Sequence, residues 1–270
     1  MPLTDYPVNL GLRDPIPGAV QLRFASYVNW RQLPTPPDHF TGHTDLVGNW
    51  GMLGNGAALD NPPGLPDGVG DCAVAGPCHQ VMKATAESGA IANFDTGAAL
   101  KNYGAITGWN IDDPDSDAGT NIGDMARYWR KHGLVDAAGK IHKIVAYVDL
   151  NPGDIRELWL AAWIFPLGVG CGYALPESAL EQAQDGEIWD VVPGSPIAGG
   201  HYVPTLARPA ASLGAGVSWG KLRPFTARWH QKYNNQGIVP LSTEGLVKAR
   251  SLEGFDLPTL TDDLKEVTRV

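Results

Sequence analysis

Cysteine is scarce in this chain. Three thiols in 270 residues are too few, and odd in number, for a disulfide framework, so the fold must rest on a hydrophobic core with its thiols free. A block of Lys or Arg is also missing, and the net charge is −9. Nucleic acid and an anionic membrane surface both require clustered cations, so neither is an expected partner. The first residues, Met-Pro-Leu-Thr-Asp-Tyr-Pro, carry neither a basic start nor an apolar run. No secretory signal is read there, and the expected location is the cytoplasm. One uncharged stretch, residues 158–175, reaches membrane-span length, but Pro166, Gly168, Gly170 and Gly172 break it. It reads as a core helix followed by a buried strand. His39, His43, His132, His142 and His230 show no metal-ligand spacing, so neither a metal nor a cofactor is expected.

What remains is a globular composition, with 43% hydrophobic and 18% charged residues, which places the whole length among chains that fold. Residues 1–45 are rich in proline and polar turns and read as an extended arm. From Cys72 to Glu87, Val74, Ala75, Val81, Met82 and Ala84 suit a buried helix. A second helix is predicted from Ile122 to His132, N-capped by Thr120 or Asn121 and ended by Gly133. A third opens at Asn151-Pro152. Past residue 140, short apolar segments at 144–148, 169–174, 201–206, 217–222 and 238–241 read as strands. Helices first and strands second make an α+β protein, with its cleft between the halves.

The chemistry concentrates at two places. Cys72 stands in Gly68-Val-Gly-Asp-Cys-Ala-Val-Ala-Gly-Pro-Cys-His-Gln80, a glycine-rich turn running into a helix. A thiol there meets unpaired backbone N–H groups and the positive end of the helix dipole, so its pKa is expected to fall. Cys78 and Cys171 lack that setting and read as buried apolar residues. His201 follows 129 positions after Cys72 in Ala-Gly-Gly-His-Tyr-Val-Pro, and a histidine beside the thiol could take and return its proton. His79, seven residues along the same helix, lies about 10 Å away at 1.5 Å per residue, too far for direct transfer.

The separation of Cys72 and His201 is near the roughly 130–150 residues of papain-like enzymes. The chain resembles that superfamily, particularly its bacterial and phage-encoded members, over roughly residues 40–245. Gly70-Asp71-Cys72 resembles the Gly-x-Cys entry to the central helix, although Ala73 replaces an aromatic. Asp117-Ala-Gly119-Thr120, feeding a helix that ends at Gly133, is similar to a segment bordering the substrate cleft. Asp154-Ile-Arg-Glu-Leu-Trp and Pro166-Leu-Gly-Val-Gly-Cys-Gly-Tyr resemble the helix and buried strand before the catalytic histidine. Gly199-Gly200-His201-Tyr202-Val203 resembles the Gly-His-Ala-Val strand, and Ser218-Trp219-Gly220 the end of Asn-Ser-Trp-Gly.

The resemblance implies a papain-like two-lobe α+β fold: an arm over 1–45, a domain over 46–245 divided into a helical lobe (46–139) with a central nucleophile helix and a strand-rich lobe (140–245), and a C-terminal tail or helix over 246–270. It implies a cysteine hydrolase acting on a peptide or other acyl bond, with Cys72 as nucleophile, His201 as base, no cofactor, and a cleft bordered by Asp71, Gly119, Thr120, Gly200 and Trp219. Two positions depart from the pattern. Val217 stands where the family has the Asn that orients the histidine; Ser218, another polar group or water could replace it, or the site is a Cys-His dyad, or it is inactive. Pro66 stands where the family has the oxyanion Gln, leaving Asn55 as the first candidate donor and Asn61 as the second. The alternative class is an inactive structural protein of the same fold, a phage virion component whose partners are other virion proteins. The acidic loop from Asp112 to Asp124 has EF-hand-like spacing, but Ala118 replaces the turn glycine; it reads as an Asx-rich turn capping a helix rather than a calcium site.

Overall fold

The computed structural model describes residues 9–51, 68–250 and 252–267. The first lobe is built on helix α1 (Cys72–Ala86), flanked by α2 (Thr96–Thr107) and α3 (Ile122–Lys131). Helix α1 is buried almost throughout, as its small and apolar residues predict. Helix α3 begins where the sequence places it, with the Asn121 side chain accepting from the Asp124 N–H and so satisfying one orphan donor of the first turn. Helix α2 escapes sequence reading because Gly97 and Gly104 interrupt its pattern; Asp95 caps it by accepting from the Ala98 N–H.

A short ribbon, β1 (Leu134–Val135) and β2 (Ile141–His142), leads to the second lobe. Its sheet contains β3 (Ala146–Leu150), β4 (Val169–Pro176), β5 (Ile197–Ala210), β6 (Leu213–Ser218), β7 (Lys221–Thr226) and β8 (Asn234–Leu241) in the order β3-β8-β4-β5-β6-β7, each neighbouring pair antiparallel. Helices α4 (Ile155–Ile164), α5 (Glu177–Asp185) and α6 (Ala227–Tyr233) connect the strands. The fold is α+β, helical lobe against strand-rich lobe. Residues 158–175 divide between α4 and β4, a core helix and a buried strand. Among the described residues no helix is long and apolar enough to cross a membrane.

Two predicted boundaries are corrected. Helix α4 starts at Ile155 rather than at Asn151-Pro152, because the Asp154 carboxylate accepts from the Arg156 and Glu157 N–H groups and fixes the start there. The segment 217–222 is not one strand: it is a hairpin whose Ser218–Lys221 pair closes a two-residue turn. Trp219 and Gly220 have φ of 49° and 67° in that turn, the left-handed geometry that two-residue hairpins favour and that a bulky residue rarely adopts.

The lobes meet where α1 packs on β5. The contact is close because Gly76 has no side chain: a Cβ there would lie 2.3 Å from the Tyr202 ring. The Tyr202 hydroxyl donates to Gln80 Oε1 at 2.6 Å, and Gln80 Nε2 donates to the Leu167 carbonyl at 2.8 Å, so the seam is satisfied as well as packed. The chain ends also join the second lobe. Phe24 and Tyr27 from the arm share its core with Phe255, Leu257 and Leu260, the last two in α8 (Leu257–Val267), which follows α7 (Thr243–Arg250).

Candidate active site

Cys72 is the first residue of α1, and both N–H groups of the next turn, at Val74 and Ala75, are satisfied by the Asp71 carbonyl at 2.7 and 2.9 Å. The helix start is as the sequence predicts; the acidity is not. Cys72 is 1% exposed, and burial, reinforced by the charge of Asp71, pushes its thiol up to about 12 against the opposing pull of backbone groups at Tyr202, Gly11 and Ala73. Desolvation of the thiolate outweighs the helix terminus in this conformation. Asp71 itself is fully buried with neither carboxylate oxygen hydrogen-bonded, and burial followed by the charge of Asp117 holds it well above the usual carboxylate range.

His201 lies on β5, immediately before Tyr202, whose backbone faces the Cys72 thiol. Its Nε2 is 2.8 Å from Ser218 Oγ at the end of β6. The indole of Trp219 stacks on the imidazole, with ring centres 4.9 Å apart and planes within 15°. The hairpin turn that gives Trp219 its left-handed backbone also carries the indole onto the ring. Trp189 packs edge-on against the same indole. Burial pushes the His201 pKa down to about 3, so the ring is neutral. Its Nδ1 is buried and has no hydrogen-bond partner, so no hydrogen bond joins it to the Cys72 sulfur.

Val217, in the place of the family's Asn, is buried with the first-lobe core, and the polar group on the ring comes from Ser218 one position later. Thr120 in the first lobe, next to Gly119, and Gly200 on β5 are bridged by the chain at Gly11 to Arg13, through Thr120 N–H to Gly11 O (2.9 Å), Arg13 N–H to Thr120 O (3.0 Å) and Leu12 N–H to Gly200 O (3.1 Å). Asn55 and Asn61, the candidate oxyanion donors, fall with Pro66 outside the described residues. His79 is buried and packs edge-on against Trp50, a packing residue. Cys78 and Cys171 are buried free thiols.

One carboxylate of the acidic loop, Asp117, is engaged by groups distant in sequence. Asp117 accepts from the Gly70 N–H at 2.7 Å, the Asn9 side chain at 2.8 Å and the Tyr103 hydroxyl at 2.5 Å, while Tyr103 Oη accepts from the Gly119 N–H at 3.0 Å. Asp117 is therefore a junction between the entry to α1, α2 and the backbone at Gly119, which sequence reading missed because its donors lie 14 to 108 positions away. Among the described residues no group of three or more His, Cys, Asp or Glu side chains is arranged to hold a metal ion.

No family model and no curated protein sequence matches the chain. Solved structures do. Xylellain, a cysteine protease from Xylella fastidiosa, superposes with a TM-score of 0.61 at 12% identity, covering 88% of this chain and 97% of that one. Procathepsin B S9 from Trypanosoma congolense gives 0.54 at 9% identity, covering 89% of each chain. A chain from a study of the mite allergens Blo t 1 and Der p 1 gives 0.50 at 11%, covering 89% and 78%. At such identities the likeness speaks for architecture: this chain has the papain-like α+β fold.

Proposed function

We propose that the chain is a papain-like cysteine hydrolase of peptide or other acyl bonds, with Cys72 as nucleophile, His201 as base and Ser218 as the group that orients the base. The observation that carries this reading is the environment of His201. One ring nitrogen is engaged by Ser218 at 2.8 Å, the face is held by Trp219, and the other nitrogen is left without a partner on the strand that faces the thiol.

With Nε2–H donating to Ser218 Oγ, the Nδ1 lone pair is free to take the thiol proton as sulfur attacks the carbonyl carbon. The oxyanion is met by the Cys72 backbone N–H, with Asn55 as its proposed partner. His201 then gives the proton to the leaving amine, and in the second half-reaction it takes one from water to release the acid. Hydrogen bonds of this kind are often long before substrate arrives, which accommodates an unpaired Nδ1. The bacterial or phage-encoded type is proposed on the segment from Asp117 to Gly133.

A second reading, an inactive papain-fold protein such as a virion component, draws on the buried, high-pKa thiol. A peptide library separates the two. Turnover abolished by Cys72→Ala and by His201→Ala supports the hydrolase, and no turnover once the thiol is demonstrably accessible supports the structural protein.

A further inference from the structure

Lys83 is buried on α1 toward the end opposite Cys72, about 16 Å along the axis at 1.5 Å per residue. Its Nζ donates to the Pro166 carbonyl at 2.6 Å, and among the described residues no other acceptor takes a hydrogen bond from it. One acceptor is poor compensation for an ammonium withdrawn from water. The side chain also lines a cavity of about 200 Å³, enclosed by the turn at 40–43, the last turn of α1, the end of α4 and α7.

The turn is shaped to the lysine. Gly42 and His43 are both left-handed, with φ of 58° and 60°. A Cβ at Gly42 would lie 2.0 Å from the Leu206 carbonyl oxygen on β5 and 3.4 Å from Lys83 Cε, so glycine lets the chain pass between strand and side chain. A left-handed residue other than glycine is uncommon and persists where its surroundings hold it. Here Phe40 exchanges both backbone hydrogen bonds with Arg208 at 2.9 Å, the Thr44 hydroxyl donates to the Thr41 carbonyl at 2.8 Å, and His43 Nε2 lies 3.5 Å from Glu87 Oε1. Among the described residues the titratable groups on the cavity are Lys83, His43, Glu87 and Lys248, against an apolar wall that includes Trp163 and Phe165.

Burial pushes the Lys83 pKa down to about 8, with Glu87 opposing the shift and Lys248 adding to it. A desolvated amine beside a second cation is a recurrent way to make lysine nucleophilic near neutral pH. At pH 7 a pKa of about 8 leaves roughly a tenth of the amine neutral, against roughly 4 in 10,000 at the ordinary lysine value. The neutral amine keeps an N–H for Pro166 and has its lone pair for chemistry.

We propose that Lys83 is the reactive amine of a second site, where a small aldehyde carrying a carboxylate is held as an imine. The cavity has room for roughly six water-sized groups at about 30 Å³ each, enough for a molecule the size of glyoxylate. The amine lone pair adds to the aldehyde carbon, the two nitrogen protons leave with the carbonyl oxygen as water, and C=N replaces C=O with no change of oxidation state. Glu87 and His43 are the lining groups able to carry those protons, and Lys248 supplies positive charge for the carboxylate. The site stands apart from Cys72 and does not depend on the hydrolase reading.

The test treats the full chain at pH 7 with glyoxylate or acetaldehyde in the presence of cyanoborohydride, which traps the imine as a secondary amine. Peptide mapping by mass spectrometry then gives the rate at each lysine side chain relative to exposed Lys101. Lys83 is expected to react with glyoxylate at least tenfold faster than every other lysine, and at least threefold better with glyoxylate than with acetaldehyde. Lys248→Gln, a change at an exposed position, is expected to abolish the preference for glyoxylate while acetaldehyde labelling of Lys83 persists. A Lys83 that stays unlabelled, or reacts no faster than Lys101 with either aldehyde, would overturn the proposal and leave it a structural donor to Pro166. Fast labelling of Lys83 without preference between the aldehydes in the parent, or a preference untouched by Lys248→Gln, would refute the carboxylate as the group recognised there.

Discussion

Replacing Ser218 with Ala isolates the contact on which the proposed base depends. Ser218 is 3% exposed and His201 1%, so water cannot take over from the lost hydroxyl. Because Nδ1 already has no partner, the variant would bury an imidazole with both nitrogens unsatisfied. Leaving one buried polar group unpaired costs about 1–3 kcal/mol. At about 2–4 °C per kcal/mol for a chain of roughly this size, that is a fall in Tm of about 2–12 °C. A urea midpoint series on the parent, Ser218→Ala, His201→Phe and the double variant checks it, since the double variant removes both partners and should recover about 1 kcal/mol of the summed single losses. Additivity within about 0.3 kcal/mol, or a Ser218→Ala midpoint equal to the parent's, would refute the Ser218–His201 pairing as a stabilising interaction.

Gly76→Ala would ordinarily stabilise a helix interior by roughly 1 kcal/mol, but here the new Cβ meets the Tyr202 ring at 2.3 Å. The expected outcome is a loss of about 1–3 kcal/mol, read by urea unfolding, and a gain would contradict the close packing of α1 on β5. Asp117→Asn places an amide where carboxylate oxygens accept from Gly70, Asn9 and Tyr103, so either the amide nitrogen meets the N–H donors or the Tyr103 hydroxyl turns to accept from it and loses its own acceptor; a stability loss of about 1–3 kcal/mol is expected, by thermal melts. His230 is buried, hydrogen-bonded through Nδ1 to the Tyr173 hydroxyl, with burial holding its pKa down to about 3. The unfolded chain then binds the extra proton first, so the stability tied to a neutral ring is full above about pH 6.5 and is lost as pH falls toward 3. His230→Gln should therefore lose less stability between pH 7 and pH 4 than the parent does, and parallel pH curves would disprove the depressed pKa. Val217 is buried in an apolar cluster and Ser218 already holds the ring, so Val217→Asn is expected to reduce rather than restore any turnover, measured on the peptide library.

Much of this protein was legible along the chain because the signals were local. The Gly-rich entry and small-residue run fixed the start of α1 at Cys72, the Asx cap fixed α3, and the break at Pro166 divided helix from strand in residues 158–175. The pairing of Cys72 and His201 was proposed from spacing and motif order, and the papain-like fold followed from the same segments. Only the tertiary structure decided what those residues experience. A helix N-terminus predicts an acidic thiol, yet burial reverses the shift even though backbone groups at Gly11, 61 positions away, and at Tyr202 pull the other way. Nothing in the stretch 217–222 separates a continuous strand from a hairpin until the partner strands set the Ser218–Lys221 register. Burial and long-range hydrogen bonds depend on which surfaces meet, and a sequence read in order gives the chemistry of each surface without its neighbour.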